Sequence, residues 1–282
     1  MSVETIGAVT ASTLPTQLSV PGGNNTKGAW TQLSASTSAD CDMMVVAVLG
    51  GTSGGDFLFD IGTGGAGVET AVISNCLANV VSSASNTFMF TFPVAISAGT
   101  RVSARYQCTS TTPKVYAVAY LGSTNSIPLT GCTATTYGAA TGDSGGTSID
   151  AGGTANTKGS YTEIIASTTD DIDWLAINVQ HANTSLTGFV SWFVDIATGG
   201  SGSESNVINN IFLQSSSSMS ACIPNSYIVL PVTIASGTRI AARCQCIGNN
   251  ATDRLLDVTL IGYNGTAAAG GGGAHFSASF GG

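Results

Sequence analysis

The 282-residue chain has few charged side chains, few aromatic rings and almost no histidine. Charged residues make up 9% of the sequence and aromatic residues 7%, and the chain contains 2 histidines. Its 8 lysines and arginines are too few to coat a nucleic-acid groove, because such binders use clustered cations to release phosphate counterions. So little charge also disfavours long helices that carry ion pairs on their surface. We therefore expect no nucleic-acid partner.

Long hydrophobic runs are missing as well. No apolar stretch reaches the roughly 18 residues that a membrane helix requires, so no membrane partner is expected. The segment Met1–Thr5 has neither the basic nor the apolar region of a secretory signal. A hydrophobic content of 43% is nevertheless too high for a disordered chain, and the length allows two domains of about 140 residues each.

The cysteines follow no metal-binding or redox pattern. There are 7 of them, and none forms a CxxC pair, which disfavours a zinc ribbon or a dithiol redox site. Two interpretations stay open, since free cysteines are often buried in cores and an odd number favours a bond to another chain. Period-two patterns place three cysteines on the apolar sides of strands: Cys108, Cys244 and Cys246. The remaining four are the candidates for interchain disulfides: Cys41, Cys76, Cys132 and Cys222.

An internal duplication organises the chain. Asn25–Gly28 recurs 131 residues later as Asn156–Gly159, and three further blocks recur at slightly larger offsets. Those blocks are Asp60–Glu69 with Asp195–Glu204, Gly99–Arg105 with Gly237–Arg243, and Leu121-Gly122 with Ile261-Gly262. Offsets that grow in small steps indicate insertions in loops. The resulting division is an N-terminal arm (1–24), a first domain (25–122), a linker (123–155), a second domain (156–263) and a glycine-rich tail (264–282).

The repeated segments have the pattern of short β-strands. Arg101–Cys108 alternates polar and apolar residues, as a half-buried strand does, and Gly- and Ser-rich turns separate such segments. Pro93 and Pro231 interrupt two longer segments at equivalent points, which predicts edge strands or bulges there. No helical pattern of ten residues or more is present. About eight short strands in each copy predict an all-β protein of two tandem homologous β-sandwich domains of jelly-roll type.

The charged residues recur at equivalent positions of the two copies. All 8 cations have a counterpart in the other copy, and so do eight of the 16 acids. We interpret this set as structural Arg–carboxylate bridges between neighbouring strands, with a repeated binding site as the alternative. The expected structural charge pairs are formed by Asp60, Glu69, Arg101 and Arg105 in the first copy and by Asp195, Glu204, Arg239 and Arg243 in the second.

Sequences that look catalytic lack their necessary partners. Gly142–Gly146 matches the nucleophile motif of chymotrypsin-like proteases, whose base and orienting acid precede the serine, but His181 and His275 both follow Ser144. Gly62–Gly67 lacks the Lys-Ser/Thr of a phosphate-binding loop and no helix follows it, so a wide turn is expected. We therefore expect no enzymatic activity, no catalytic residue, no metal site and no cofactor.

The conserved pattern within the repeats resembles a known group of proteins. The block Asp-Ile-Gly/Ala-x-Gly-Gly-x-Gly-x-Glu is followed by Ile-x-x-Gly-Thr-Arg-x-x-Ala-Arg and a closing Val-x-x-x-Gly strand. This succession is similar to duplicated β-domain virion proteins of tailed bacteriophages. The resemblance implies a structural protein made in the host cytoplasm and placed on the outer surface of the virion as a capsid decoration, head fibre, neck or tail component.

The resemblance also implies partners. Such β-rich proteins are often homotrimers, so we expect self-association together with contacts to capsid or neck proteins. The alternative is a receptor-binding or glycan-binding phage protein in which the repeats supply two binding sites. Its candidate sugar-stacking rings are Trp30, Tyr137, Tyr161, Trp174 and Trp192, for which core packing is the alternative.

Overall fold

The computed structural model describes residues 3–9, 14–50, 55–80, 87–111, 114–122, 132–182, 188–215 and 227–265. Over these ranges the chain forms strands that pair only in antiparallel fashion, and no helix. The first ten strands are β1 Val3–Ile6, β2 Ala8–Val9, β3 Leu14–Gln17, β4 Thr31–Ser34, β5 Met43–Gly50, β6 Gly55–Thr63, β7 Thr70–Val80, β8 Thr87–Phe92, β9 Val102–Cys108 and β10 Val115–Gly122. The other ten are β11 Thr133–Tyr137, β12 Ala139–Ala140, β13 Gly145–Asp150, β14 Thr162–Ile165, β15 Ile172–His181, β16 Val190–Thr198, β17 Ser205–Ser215, β18 Tyr227–Ile234, β19 Ile240–Cys246 and β20 Leu255–Asn264.

The strands form four sheets, two in each half of the chain. Sheet I has the order β2-β3-β10-β5-β8, with β1 also beside β10, and sheet II has the order β4-β9-β6-β7. Sheet III has the order β12-β13-β20-β15-β18, with β11 also beside β20, and sheet IV has the order β14-β19-β16-β17. Sheet III therefore corresponds to sheet I, and sheet IV to sheet II. The prediction of an all-β protein with two similar β-sandwich halves is confirmed.

The sheets are stacked in the order I, II, III, IV. Sheets I and II enclose one apolar core, to which Val46 and Phe59 belong, and sheets III and IV enclose a second, to which Ile177 and Val194 belong. Sheet III is buried on its other face too, because side chains such as Tyr263 join the core of the first half. Apolar side chains at alternate positions of each strand face these cores, as the period-two patterns predict.

Each half begins earlier than the sequence predicted. We expected residues 1–24 to be a separate arm and residues 123–155 to be a linker. Instead, Ile6 lies opposite Ala119 in sheet I, and Tyr137 lies opposite Leu260 in sheet III. Strands β1 to β3 therefore belong to the first sandwich and β11 to β13 to the second, although residues 123–131 and the tail beyond residue 265 lie outside the described range.

The last strand of each half aligns one residue away from the predicted match. We matched Leu121 with Ile261, but Leu121 lies opposite Met44, whereas Gly262 lies opposite Leu175, the counterpart of Met44. Leu121 thus corresponds to Gly262. Because side chains alternate between the two faces of a strand, a shift of one residue exchanges the residues assigned to the core and to the outside.

The two segments with a proline are confirmed to lie at sheet edges. Strand β8, which ends just before Pro93, lies at the edge of sheet I, and β18, which contains Pro231, lies at the edge of sheet III. The pairing of β18 with β15 is irregular between Ile172 and Trp174, next to Pro231. Proline lacks the amide hydrogen that an inner strand donates, which explains this position.

Candidate functional site

The first repeated charge cluster is centred on Asp60, a buried carboxylate of β6. Its Oδ1 accepts hydrogen bonds from Lys27 Nζ at 2.7 Å and from the backbone N–H of Asn75 at 2.8 Å. Its Oδ2 accepts one from Arg105 Nε at 2.8 Å. Burial lowers the pKa of Lys27, although Asp60 opposes that effect. The cluster joins the loop before β4 to three strands of sheet II, so it acts as a structural clamp.

The second half contains the same cluster around Asp195. Lys158 Nζ lies 2.7 Å from Oδ1, Arg243 Nε lies 3.0 Å from Oδ2, and the N–H of Asn210 donates to Oδ1 at 2.9 Å. Burial alone would raise the pKa of Asp195, but these three donors outweigh it and hold the pKa below its usual value. The carboxylate therefore stays ionised and fully engaged by the protein's own groups.

A second pair of arginines closes the glycine-rich turns. Arg101 Nη1 donates to Glu69 Oε1 at 2.6 Å and to the carbonyl of Gly64 at 3.3 Å. Arg239 makes the equivalent contacts with Glu204 at 3.2 Å and with Gly199 at 3.0 Å. The turns between β6 and β7 and between β16 and β17 are thus bound to the neighbouring strands. All eight predicted charge-pair residues lie in such contacts within the same half.

Three of the candidate sugar-stacking rings have one face or the whole ring covered. The guanidinium of Arg105 lies 4.3 Å above the ring of Trp30, and that of Arg243 lies 4.4 Å above Tyr161. Trp192 is buried in the second core and donates its Nε1–H to the carbonyl of Asp253 at 3.1 Å. A sugar stacks on an open ring face, so Trp192 offers no stacking platform, and Trp30 and Tyr161 each have one face occupied by an arginine.

The cysteines proposed for interchain disulfides are mostly inaccessible. Cys41 and Cys76 are buried, Cys132 is half-buried, and Cys222 lies outside the described residues. Burial raises the pKa of Cys132 to about 11, which keeps the thiol protonated and slow to react. A disulfide through Cys76 would require sheet II to open. Cys108, Cys244 and Cys246 are buried in the cores, as the strand patterns predict.

The protease-like motif forms part of the joint between the two halves. Ser144 has a backbone φ of 64° and donates its hydroxyl to Asn25 Oδ1 at 2.8 Å. Gln107 of β9 donates to Ser144 Oγ at 3.1 Å and to the carbonyl of Thr141 at 2.8 Å. Ser144 is thus a buried anchor between the repeats and not an exposed nucleophile.

The joint also contains a carboxyl group with a strongly altered pKa. Burial, followed by the nearby charges of Asp56 and Asp143, raises the pKa of Asp257 to about 7. The carboxyls crowd Gly145, where a Cβ would lie 2.8 Å from Asp257 Oδ2 and 3.2 Å from Asp143 Oδ1. Within the described residues, however, no three His, Cys, Asp or Glu side chains are placed to hold a metal ion.

The outer faces of sheets II and IV differ in what covers them. In sheet II, Leu77, Leu58 and Gln107 form a row across neighbouring strands and all three are buried. The equivalent row in sheet IV is Phe212, Phe193 and Gln245, which we call the phenylalanine row. Phe212 is 57% exposed and Phe193 is 38% exposed, with their ring centroids 5.6 Å apart.

Two further apolar side chains extend this exposed surface. Phe189 and Ile247 lie beside the phenylalanine row, and both are exposed. The backbone N–H of Ile247 donates to Ser191, which pairs with Gln214 next to the row. Several exposed apolar side chains on one face of a sheet, here with polar Ser191 and Gln214 between them, are typical of an interaction site.

Comparisons with known proteins give weak likenesses only. No family model matches the chain, and no curated protein matches it. The tandem CBM22-1–CBM22-2 domain of Xyn10C from Paenibacillus barcinonensis has 9% identity over 83% of this chain and 87% of that chain, with a TM-score of 0.24. The insecticidal delta-endotoxin Cry8Ea1 of Bacillus thuringiensis has 9% identity over 80% of this chain and 42% of that chain, with a TM-score of 0.25.

A third solved structure, the PBSX exported protein XepA, has 10% identity over 84% of this chain and 88% of that chain, with a TM-score of 0.18. These scores are too low for any functional conclusion. Among the described residues there is no helix of the length and apolarity needed to cross a membrane.

Proposed function

We propose that this protein is a non-enzymatic structural component of a tailed-phage virion, such as an outer decoration, fibre or neck protein. It acts as a rigid building block that associates with its own copies, as a homotrimer, and with capsid or neck proteins. The virion setting comes from the resemblance of its repeated motifs to duplicated β-domain virion proteins. The structural role comes from how the chain uses its own polar groups.

The observation that carries the proposal is the internal use of the repeated charges. Asp60 and Asp195 each bind two cations and a backbone N–H of the same half, and both arginines of the glycine-rich turns are engaged as well. Side chains committed to fixing loops on strands are not available to bind or transform a substrate. The remaining distinctive surface is apolar, which suits contact with another protein.

The proposal is tested by purifying virions from a producing culture on a density gradient. Peptides of this chain should co-migrate with the capsid and tail proteins and remain after a high-salt wash, in a fixed ratio to the capsid protein. A host protein of similar abundance serves as the control for contamination. Finding the chain only in the particle-free fraction would refute the virion role.

A glycan array on the purified protein tests the receptor-binding alternative. Because Trp192 is buried, and Trp30 and Tyr161 each have one face occupied by an arginine, we expect no sugar binding that Trp30→Ala abolishes. Specific glycan binding lost in Trp30→Ala, but kept in Val68→Ala on an exposed turn, would favour the alternative instead.

A further inference from the structure

The contact between the two halves joins the outer face of a four-stranded sheet to a six-stranded sheet, and the chain forms this kind of contact once. The outer face of sheet II is covered by sheet III, and there Asn178 donates a hydrogen bond to the carbonyl of Leu77. On the same side, Gln107 donates to Thr141. Sheet IV is the counterpart of sheet II, yet Phe193 and Phe212 of its phenylalanine row are exposed, although the Lys158 ammonium lies 6.0 Å from the Phe193 ring centroid. By analogy, a sheet equivalent to sheet III should cover the phenylalanine row. Sheet I is the sheet equivalent to sheet III in the other half of the chain.

We propose that the phenylalanine row is the docking site for sheet I of a second copy of this chain. The contact would continue the stack, so that sheet IV of one copy meets sheet I of the next as sheet II meets sheet III within each copy. Met89 of β8 is the counterpart of Tyr227 of β18. Met89 lies opposite Ala47, and Tyr227 lies opposite Asn178, the counterpart of Ala47. Met89 is 59% exposed.

Tyr227 shows what this position does when the contact is formed. Its hydroxyl donates to the carbonyl of Thr91 at 3.0 Å, and its ring centroid lies 5.2 Å from that of Phe90. Both partners belong to the first half of the chain. Both lie in β8 of sheet I, so the corresponding partners of Met89 of a second copy are their counterparts in β18, Ile228 and Val229, at the edge of sheet III beside sheet IV.

At two central positions the outer face of sheet I is more apolar than the corresponding face of sheet III. Ala47 of β5 corresponds to Asn178 of β15, and Val118 of β10 corresponds to Thr259 of β20. Asn178 Oδ1 and Thr259 Oγ1 are buried without a hydrogen-bond partner, and such burial costs free energy. Ala47 and Val118 carry no polar side-chain atom and are only 6% and 9% exposed in the single chain, so covering sheet I leaves no unpaired polar side chain at these two positions.

The proposed contact joins two different faces of the molecule. It is therefore heterologous, and repeated contacts either close into a ring or extend as a filament. A closed ring of three copies is consistent with the trimer proposed above. The inference depends on the repeat and its exposed faces, and it does not require that the protein be part of a virion.

The test uses the full chain in sedimentation velocity experiments from low to high micromolar concentration. We expect the wild-type chain to self-associate, and Phe212→Asp and Met89→Asp each to weaken association by about 30-fold or more, because each places a charge in an apolar contact. Val68→Asp, an equal change at an exposed turn, should have no effect. Circular dichroism should confirm that all variants fold.

Mixing the two defective variants tests the head-to-tail geometry. Phe212→Asp retains an intact sheet I, and Met89→Asp retains an intact phenylalanine row, so the mixture should form a 1:1 dimer although neither variant associates alone. A wild-type chain that stays monomeric, or a mixture that stays monomeric, would overturn the inference. Association that only Val68→Asp or a reducing agent disrupts would also overturn the inference. A phenylalanine row that binds a glycan and not a second copy would overturn it as well.

Discussion

The buried carboxylates Asp60 and Asp195 carry most of the specific electrostatics of the two halves. Each is enclosed by two cations and one backbone N–H, and each cation comes from a different segment of the chain. The sequence predicted this arrangement because the charges recur at fixed spacing in both copies. It did not identify Lys27 and Lys158 as partners of these carboxylates, although their recurrence in Asn-Thr-Lys-Gly was an available signal.

Replacing the central carboxylate of one cluster should destabilise the fold. We expect Asp195→Asn to lower the free energy of unfolding by about 3–5 kcal/mol, because it leaves two cations beside a neutral amide in a partly buried site. The measurement is denaturant unfolding at neutral pH. Glu163→Gln is the matched control, since Glu163 is about half exposed and its counterpart in the first half is already Gln32. A loss no larger than that of the control would contradict the clamp role.

Asp257 should make stability depend on pH near neutrality. Its pKa is raised from 3.8 to about 7 in the folded protein, so the folded state binds the proton more tightly than the unfolded chain. Its contribution is therefore most favourable below about pH 4, declines as the pH rises to about 7, and is constant above that. We expect Asp257→Asn to stabilise the protein by roughly 2–4 kcal/mol at pH 8 and to have little effect at pH 4.

Denaturant unfolding of the wild-type chain and Asp257→Asn at both pH values checks this expectation. Asp143→Asn serves as a comparison, because it removes one repelling charge and should reproduce only part of the gain. Destabilisation by Asp257→Asn at pH 8 would show that the ionised carboxylate is favourable, and an equal effect at both pH values would show that its proton uptake is not linked to folding; either result contradicts the raised pKa.

At the scale of single elements, the strands with clear alternation were predictable and the shortest ones were not. Strand β9 and its counterpart β19 alternate over seven residues, so one face is identified at once. Strands β2 and β12 contain two residues each, too few for any periodicity. A weak signal was present, since Thr5–Ala8 and Thr136–Ala139 share Thr-x-Gly-Ala at the same offset of 131 residues as the Asn-Thr-Lys-Gly block.

The glycine of that short motif tests whether the early strands belong to the fold. Gly138 has a φ of 78°, and a Cβ there would lie 2.7 Å from Ile164 Cγ2. Gly152 has a φ of 82°, but a Cβ there would meet no described atom within 4 Å. Both alanine variants incur the backbone strain of a positive φ, but only Gly138→Ala adds a clash. The clash should lower the free energy of unfolding by a further amount of about 1–3 kcal/mol.

Thermal and denaturant unfolding of the two variants measure the difference. If Gly138→Ala and Gly152→Ala were equally stable, residues 133–150 would behave as the linker that the sequence first indicated. A larger loss for Gly138→Ala supports their place in sheet III.

A repeated bulge at Asn75 and Asn210 fixes the strands that hold the charge clusters. Both asparagines have a positive φ, of 52° and 54°, and both donate a backbone N–H to the clamp carboxylate. We expect Asn210→Gly to be neutral or slightly stabilising and Asn210→Val to cost about 1–3 kcal/mol, because a β-branched residue strongly disfavours this backbone conformation. Equal stability of the two variants in denaturant unfolding would contradict the bulge geometry.

At the scale of the whole molecule, the stacking of four sheets was not predictable from the sequence. Alternation identifies which residues of a strand lie on one face, but it does not say which sheet covers the other face. Leu58 and Leu77 are buried by the second half of the chain, whereas Phe193 and Phe212 at the equivalent positions remain exposed. Both pairs are apolar at outward positions, so the sequence alone could not distinguish an internal contact from an external one.

The same arrangement explains the low charge of the chain. Most charged side chains with counterparts in both halves are used in clamps, and the outer faces of sheets I and IV are apolar in part. A molecule built in this way is suited to association through its ends. We therefore propose that the protein is a structural subunit whose end sheets are covered by neighbours.

The most direct test is a cryo-electron microscopy map of the virions purified from a producing culture. The account predicts density for the two-half stack on the outside of the particle, with Phe193 and Phe212 of one copy buried against β5, β8 and β10 of the next. Particles without the chain, or copies whose phenylalanine rows all face solvent, would contradict it.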